Sequence, residues 1–390
     1  MVTWVGDISP ASRLTLIETA QKSISAEPNR VSTWLMLGNL LLKAGRFEEA
    51  AAVLSDAARK FSTESEVHFL LADAHKRIGT IDSAIAAIEM ALALAPRHQT
   101  TMLRRFDFYV TVRCWDRVTE DLERVAAVAP TLFTVILAYA HSVRMGGDPK
   151  QLLTACNAAL ARKSNHTGAL HYKALALSML GRGEEARDII GLDDFVSLAR
   201  LPPRVDQHES GRFLDAVAGE ILQNPTLVPD PYQKATRDGL QTRVLMQADN
   251  KAMPIFLRHI RSAVDHYLAA LPKGSHPFST TPPSRVRLNP WAVVYPQDGR
   301  QASHFHARGW ISGVAYVTAP RNAGESRYHG PLVLGESDSK QLPVPAPWGT
   351  REIEPVPGRI VLFPSFIPHA TRPSGVAAKR ICVAFDVVAA

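Results

Sequence analysis

Through the first half of the chain, apolar and small residues recur three and four places apart, the spacing that lines one face of an α-helix. Trp34, Leu37, Gly38, Leu41, Gly45, Ala50, Leu54 and Ala57 form one such set. Moved on by 34 residues, the same slots hold His68, Leu71, Ala72, His75, Gly79, Ala84, Ile88 and Ala91. A third copy runs Met102, Phe106, Tyr109, Val118, Leu122 and Val125, closed by Pro130. Weaker copies come next at Ile136, Tyr139, Ala140, Gly147 and Ala159, then at Leu170, Ala174, Leu177, Gly181 and Ala186. Each copy predicts two amphipathic helices that cross at small residues, joined by a glycine-containing turn. The repeats span residues 31–190, and Ser9–Glu27 within residues 1–30 reads as a single capping helix. His68 and His75 fill packing slots and read as core or groove histidines.

Beyond Gly191 the period fades. Residues 191–224 read as a helical linker, with a loop through LPPRVDQHESGRF and a helix from Phe213 to Gln223. Asn250–Leu271 carries Ile255, Ile260, Val264 and Leu268 at helical spacing, and Pro254 suits its first turn. From about residue 284 short β-branched and aromatic runs stand between Pro and Gly breaks: RVRLNPWAVVYP, ISGVAYVTAP, GPLVLGE, REIEPV, GRIVLFP and KRICVAFDVV. Short strands at this frequency predict an antiparallel sandwich or barrel. The expected fold is therefore α+β multidomain, an all-α solenoid followed by a jelly roll (double-stranded β-helix) over residues 225–390.

Bulk properties narrow the possibilities. The 390 residues leave room for two or three domains, and 46% hydrophobic with 21% charged residues is an ordinary soluble balance. No apolar run approaches the roughly 18 residues of a membrane span, and the N-terminal stretch lacks a basic-then-apolar signal pattern. Three cysteines without a CxxC pairing fit a reducing, cytoplasmic setting. The net charge of +7 is spread along the chain rather than gathered in a patch, which argues against nucleic acid. There is no GxSxG elbow, no phosphate-binding glycine loop and no HExxH.

One constellation carries chemistry. His304 and His306 flank Phe305 ahead of a strand, His369 comes later in GRIVLFPSFIPHATRP, and Arg380 opens KRICVAFDVV. Residues two apart on extended backbone share a face, so the pair can close on one ion and a histidine opposite completes a facial set. The usual facial set for non-haem Fe(II) has two histidines and one carboxylate. Here His306 either ligates as a third imidazole or leaves a two-histidine site with an extra open position. An arginine deep in a barrel is a fork for a distal carboxylate, which is what 2-oxoglutarate presents. Ser312 and Tyr316 stand to hydrogen-bond that co-substrate or to pack. Asn289, Trp291 and Tyr295 lie on the preceding strand, with Asn289 a further candidate for binding the co-substrate and Trp291 read as core. Gln241 and Thr242 would shape the pocket mouth, and Cys382 would share the inward face of Arg380 as a small filler.

The helical half resembles the tetratricopeptide repeat. TRDGLQT (Thr236–Thr242), WAVVYPQDGRQASHFHARGWISGVAYV (Trp291–Val317), GPLVLGE and PGRIVLFPSFIPHATRP through KRICVAFDV resemble a bacterial 2-oxoglutarate/Fe(II) oxygenase family over about residues 225–390. That resemblance implies Fe(II) and 2-oxoglutarate as cofactors, His304 and His369 at the two histidine ligand positions, and Arg380 on the far carboxylate of the co-substrate. His306 stands where the wider superfamily has Asp or Glu. The activity implied is a dioxygenase, with hydroxylation of a peptide or protein brought by the groove of the repeats. Two rivals remain: a three-histidine cupin-type oxygenase that needs no 2-oxoglutarate, and a non-catalytic adaptor. Packing of the helices on a second copy, giving a homodimer, also stays open.

Overall fold

The computed structural model describes residues 2–4, 10–95, 99–119, 121–201, 207–230, 234–272, 274–296, 298–337 and 346–390. Two compact units form: Ile8–Ala129, and Met1–Asp7 together with Pro130–Ala390.

The unit Ile8–Ala129 is a run of helices: α1 (Pro10–Ala26), α2 (Val31–Lys43), α3 (Phe47–Lys60), α4 (Ser65–Ile78), α5 (Ile81–Leu94), α6 (Gln99–Thr111) and α7 (Leu122–Val128). Ile17, Ala20, Leu37, Leu41, Ala50, Ala51, Leu54 and Ala74 form a core cluster, small residues where the repeat pattern calls for close crossings. Between paired helices the backbone turns left-handed at Gly45 and Gly79, and again at Arg113, 34 residues after Gly79, with φ of 72°, 101° and 61°. A residue with a Cβ is held there at a cost of about 1–2 kcal/mol. Past Arg113 the chain departs from the predicted full helix: a 3₁₀ turn, Trp115–Arg117, precedes the short α7. The buried Asp121 turns to pair with Arg105 of α6 across this irregular stretch. His68 is buried with Nε2 against the Ser62 carbonyl, and His75 bonds Thr80 Oγ1, so each serves its own helix hairpin.

In the larger unit, α8 (Phe133–Arg144), α9 (Pro149–Arg162), α10 (Thr167–Met179) and α11 (Gly183–Ile190) continue the repeat pattern. Four further helices come after them: α12 (Leu192–Phe195), α13 (Gln207–Leu222), α14 (Met253–Ala270) and α15 (Pro277–Thr280). The helix expected from Phe213 begins six residues earlier, at Gln207, in the stretch read as loop. Its first turn carries Glu209, which suits the positive end of a helix although it adds nothing to an apolar period.

The strands are β1 (Thr3–Trp4), β2 (Ser197–Arg200), β3 (Leu227–Pro229), β4 (Thr236–Arg237), β5 (Leu240–Thr242), β6 (Arg285–Tyr295), β7 (Arg300–Gln301), β8 (Ile311–Thr318), β9 (Leu332–Leu334), β10 (Arg351–Ile353), β11 (Arg359–Pro364), β12 (His369–Thr371) and β13 (Arg380–Ala389). The main sheet runs β2-β11-β8-β13-β6-β5-β3, with β1 added parallel to β6. Smaller sheets β10-β9-β12 and β4-β7 complete the jelly roll. Its core is continuous with the helices: Ile136, Leu170, Tyr172 and Leu175 belong to the same buried cluster as Trp310, Phe363, Phe366 and Phe385. No helix among the described residues is long and apolar enough to cross a membrane.

Candidate metal centre

The inward face of the jelly roll results from strand alternation. From β13, Arg380, Cys382 and Ala384 line a cavity; β6 supplies Trp291, Val293 and Tyr295, β8 supplies Ser312, Val314 and Tyr316, and β12 supplies His369 and Thr371. A register shift between Ile381 and Cys382 bulges the β13–β8 ladder where the cavity begins; such bulges re-aim side chains beside sites.

The histidine pair lies in a connection rather than on a full strand, which refines the sequence expectation. Its backbone is nevertheless extended, because it borrows partners from the facing chain. His304 N–H donates to the His369 carbonyl at 3.0 Å, His369 N–H returns the bond at 2.8 Å, and His306 N–H donates to Ser365 O at 3.0 Å. His304, His306 and His369 consequently converge, with ring centroids 4.3–5.0 Å apart and one ligand atom from each within 4.8 Å of the others.

The hydrogen bonds decide which nitrogens are available. His304 Nδ1 lies 2.8 Å from the Ala302 carbonyl, and His369 Nδ1 lies 3.1 Å from that of Ile367. His306 Nδ1 meets Asp386 Oδ1 at 2.5 Å. All three partners only accept, so each Nδ1 carries the proton and each Nε2 keeps its lone pair. Metal–imidazole bonds of about 2.1 Å in a facial set put the ligand nitrogens about 3.0 Å apart, so the rings draw in by up to about 1 Å each to close on one ion. Burial, reinforced by the neighbouring imidazoles, holds His304 down at about 3 and His369 well below the ordinary histidine range. Both rings therefore stay neutral at physiological pH, the state a metal requires.

At the far end of the cavity Arg380 is 2% exposed. One terminal nitrogen donates to the carbonyls of Gly330 and Arg372, the other to Gly299 O and Thr371 Oγ1, and the plane lies over Tyr295, 4.4 Å from its ring centre. These acceptors satisfy its hydrogen bonds without neutralising it. Among the described residues no carboxylate pairs with Arg380. An uncompensated buried cation is costly.

The other predicted residues separate. Tyr316 is buried on the cavity wall, and burial raises its phenol pKa, so the hydroxyl stays protonated. The Ser312 hydrogen goes to Asp386 at 2.7 Å. Trp291 lines the cavity beside His306, their ring centres 5.5 Å apart, rather than filling the core alone. Cys382 lines it as a buried thiol, pushed up to about 11 by burial. Asn289 is exposed and absent from the described cavity wall. Gln241 accepts from Thr236 Oγ1, and Thr242 Oγ1 accepts from the Ala292 N–H, so both brace strands.

Two groups escaped sequence reasoning. Asp386 shares the strand face of Arg380 and Cys382, and that even spacing was the available signal. His171 of α10 stacks on Phe305 at 3.7 Å and 15°, with Nδ1 2.9 Å from the Phe366 carbonyl. Phe133 and Tyr172 also pack on Phe305, and Thr167 Oγ1 donates to Gly309 O at 2.6 Å, so α8 and α10 buttress the loop that carries both histidines.

Residues 289–386 match the family model described as "Putative 2OG-Fe(II) oxygenase", and residues 35–98 match the tetratricopeptide repeat. The chain carries tetratricopeptide repeats and a 2OG-Fe(II) oxygenase domain. No curated protein matches it. Among solved structures, a prolyl-4-hydroxylase from Pseudomonas putida is 16% identical, covers 52% of this chain and 97% of its own, and gives a TM-score of 0.35. A prolyl hydroxylase from Trichoplax adhaerens, in complex with a hypoxia inducible factor peptide fragment, is 14% identical, with coverage of 54% and 92% and a TM-score of 0.35. YrrB, a TPR protein with an unusual peptide-binding site, is 14% identical, with coverage of 45% and 90% and a TM-score of 0.37.

Proposed function

We propose that this oxygenase domain uses Fe(II) and 2-oxoglutarate to hydroxylate a peptide or protein recruited by the repeats. One observation carries the reading: a single cavity is lined by His306 and His369, which converge with His304, and by the buried Arg380, with which no carboxylate pairs among the described residues. In this reading Nε2 of His304, His306 and His369 hold the metal, and Arg380 grips the distal carboxylate of the co-substrate. Bound there, Fe(II) with 2-oxoglutarate and oxygen supplies oxidation of an unactivated C–H bond. The protein's own part is positioning. Arg380 fixes the co-substrate by charge, with Tyr295 beneath its guanidinium plane. Trp291, Val293, Leu332 and Phe363 keep the cavity dry, which strengthens every electrostatic contact inside it. The repeats bring a polypeptide because stacked helical hairpins present an extended concave surface.

Anaerobic titration with Fe(II) and then 2-oxoglutarate tests this. A visible absorption band of the chelated keto acid should develop. Arg380→Ala should need about 10–100-fold more 2-oxoglutarate, since charge-assisted hydrogen bonds contribute about 1.5–3 kcal/mol. Tight iron binding without the band would favour the three-histidine oxygenase, and no iron binding would favour the adaptor.

A further inference from the structure

The third histidine stands where a carboxylate ligand is usual, yet a carboxylate is present one hydrogen bond behind it. Asp386 on β13 and Ser312 on β8 face each other in register. Asp386 Oδ1 accepts from His306 Nδ1 at 2.5 Å and from Ser312 Oγ at 2.7 Å. Ser312 and Ser365 hydroxyls lie 2.8 Å apart. A hydroxyl has one hydrogen; because that of Ser312 goes to Asp386, Ser365 donates to Ser312. Every proton in the chain then points towards Asp386, and His306 Nδ1–H also passes within 3.1 Å of Ser312 Oγ. The group is closely packed: a Cβ on Gly309 would come within 2.4 Å of Ser365 Oγ and 3.3 Å of Asp386 Cγ. Asp386 is itself only 8% exposed.

We infer that Asp386 is a positioning residue that, through Ser312 and Ser365, locks His306 in its Nδ1–H form and supplies from behind the negative charge that a ligating carboxylate would supply directly. The inference rests on the metal-site reading above. It makes His306 a full ligand whose Nε2 is aimed by a partner 80 residues along the chain. A carboxylate behind a ligating imidazole raises its basicity, and losing such a partner typically costs about 10–100-fold in metal affinity.

The test uses the full chain. In metal-free wild-type protein, long-range ¹H–¹⁵N correlation should place the His306 proton on Nδ1 and find it strongly deshielded. Asp386→Ala should abolish the deshielding and weaken Fe(II) binding, followed anaerobically by calorimetry, about 10–100-fold. Asp386→Asn keeps an acceptor but no charge and should fall between that variant and wild type. An Nε2–H tautomer at His306 in the wild-type protein overturns the inference, and this measurement requires no variant to fold. Wild-type Fe(II) affinity in Asp386→Asn also overturns it. So does His306→Ala protein that still binds while Asp386→Asn does not, because Asp386 would then be the ligand. Wild-type protein that takes no Fe(II) would sink the functional reading alone, since the tautomer measurement still decides what Asp386 does.

Discussion

Helices α4 and α10 occupy equivalent places in one repeat pattern, yet they are buried in different ways. In α4 the buried residues are Val67, His68, Phe69, Ala72 and Ala74, and the rest of the helix reaches solvent to some degree. In α10 every residue from Thr167 to Leu177 except Lys173 is buried. The repeat therefore specifies a hairpin of helices, while the residues outside its apolar stripe decide what the hairpin packs on. Where those residues are polar the helix serves a stack. Where they include Thr167, His171 and Tyr172, it becomes a wall of the jelly-roll unit and touches the loop that bears the histidines.

The most drastic way to break this contrast is deletion. Removing residues 130–190 should leave the β domain unable to unfold cooperatively, because that cut opens the shared core. Removing residues 8–129 should leave a cooperative transition that still responds to Fe(II). Circular dichroism melts with and without metal would decide, and a cooperative fragment of residues 191–390 would refute the contrast.

Single side chains come next. Phe305→Ala should destabilise the larger unit by about 3 kcal/mol, the low end for such truncations, and weaken metal binding. Trp34→Ala, which in the smaller unit removes an edge contact with Phe61, should leave metal binding unchanged. Protonation offers a gentler perturbation. Burial holds His171 down at about 4, below its ordinary 6.5. Its folded pKa is thus the lower one, so the unfolded chain takes up a proton first as pH falls. The stability it contributes is complete above about pH 6.5 and is lost progressively towards pH 4, by roughly 3 kcal/mol at most. Urea midpoints across that range should show the loss, and His171→Phe should flatten it.

The smallest expected effects come from two glycines in comparable crossings. A Cβ on Gly168 would lie 2.3 Å from the ring of Phe133, itself wedged against Phe305 and Tyr172. Gly168→Ala should cost about 1–3 kcal/mol as overpacking. On Gly38 the Cβ would meet the tip of Leu54 at 2.6 Å, a side chain that can swing aside, so Gly38→Ala should cost less. Equal melting shifts would mean that the aromatic wedge is no more rigid than the leucine.

How much of this the sequence made legible depended on distance along the chain. The hairpins, the strands and the order His304, His306, His369, Arg380 were readable because periodicity and spacing are local. The glycine turn spacing even extends to Arg113, where the next helix fails. Asp386 was hidden because its partners, His306 and Ser312, come close only once β13 pairs with β8. His171 sits in a slot that reads as packing, and its carbonyl partner lies 195 residues away. The division near residue 130 was not legible because weaker copies of the repeat continue beyond it in the same register. Asn289 was misleading because strand parity is right while its depth along the strand is not.

The parallel pairing of β1 with β6 sets a problem of timing. Thr3 aligns with Arg285 and Trp4 with Val286, and the Trp4 indole donates to Asp265 at 2.9 Å. About 280 residues separate the two strands, some tens of seconds of synthesis at ordinary elongation rates. Throughout that interval Val2 and Trp4 have no partner, while the intervening helices of Ile8–Ala129, whose contacts are local, can already assemble on the ribosome. Of the described strands, the earliest made is therefore the one that waits longest for its partner.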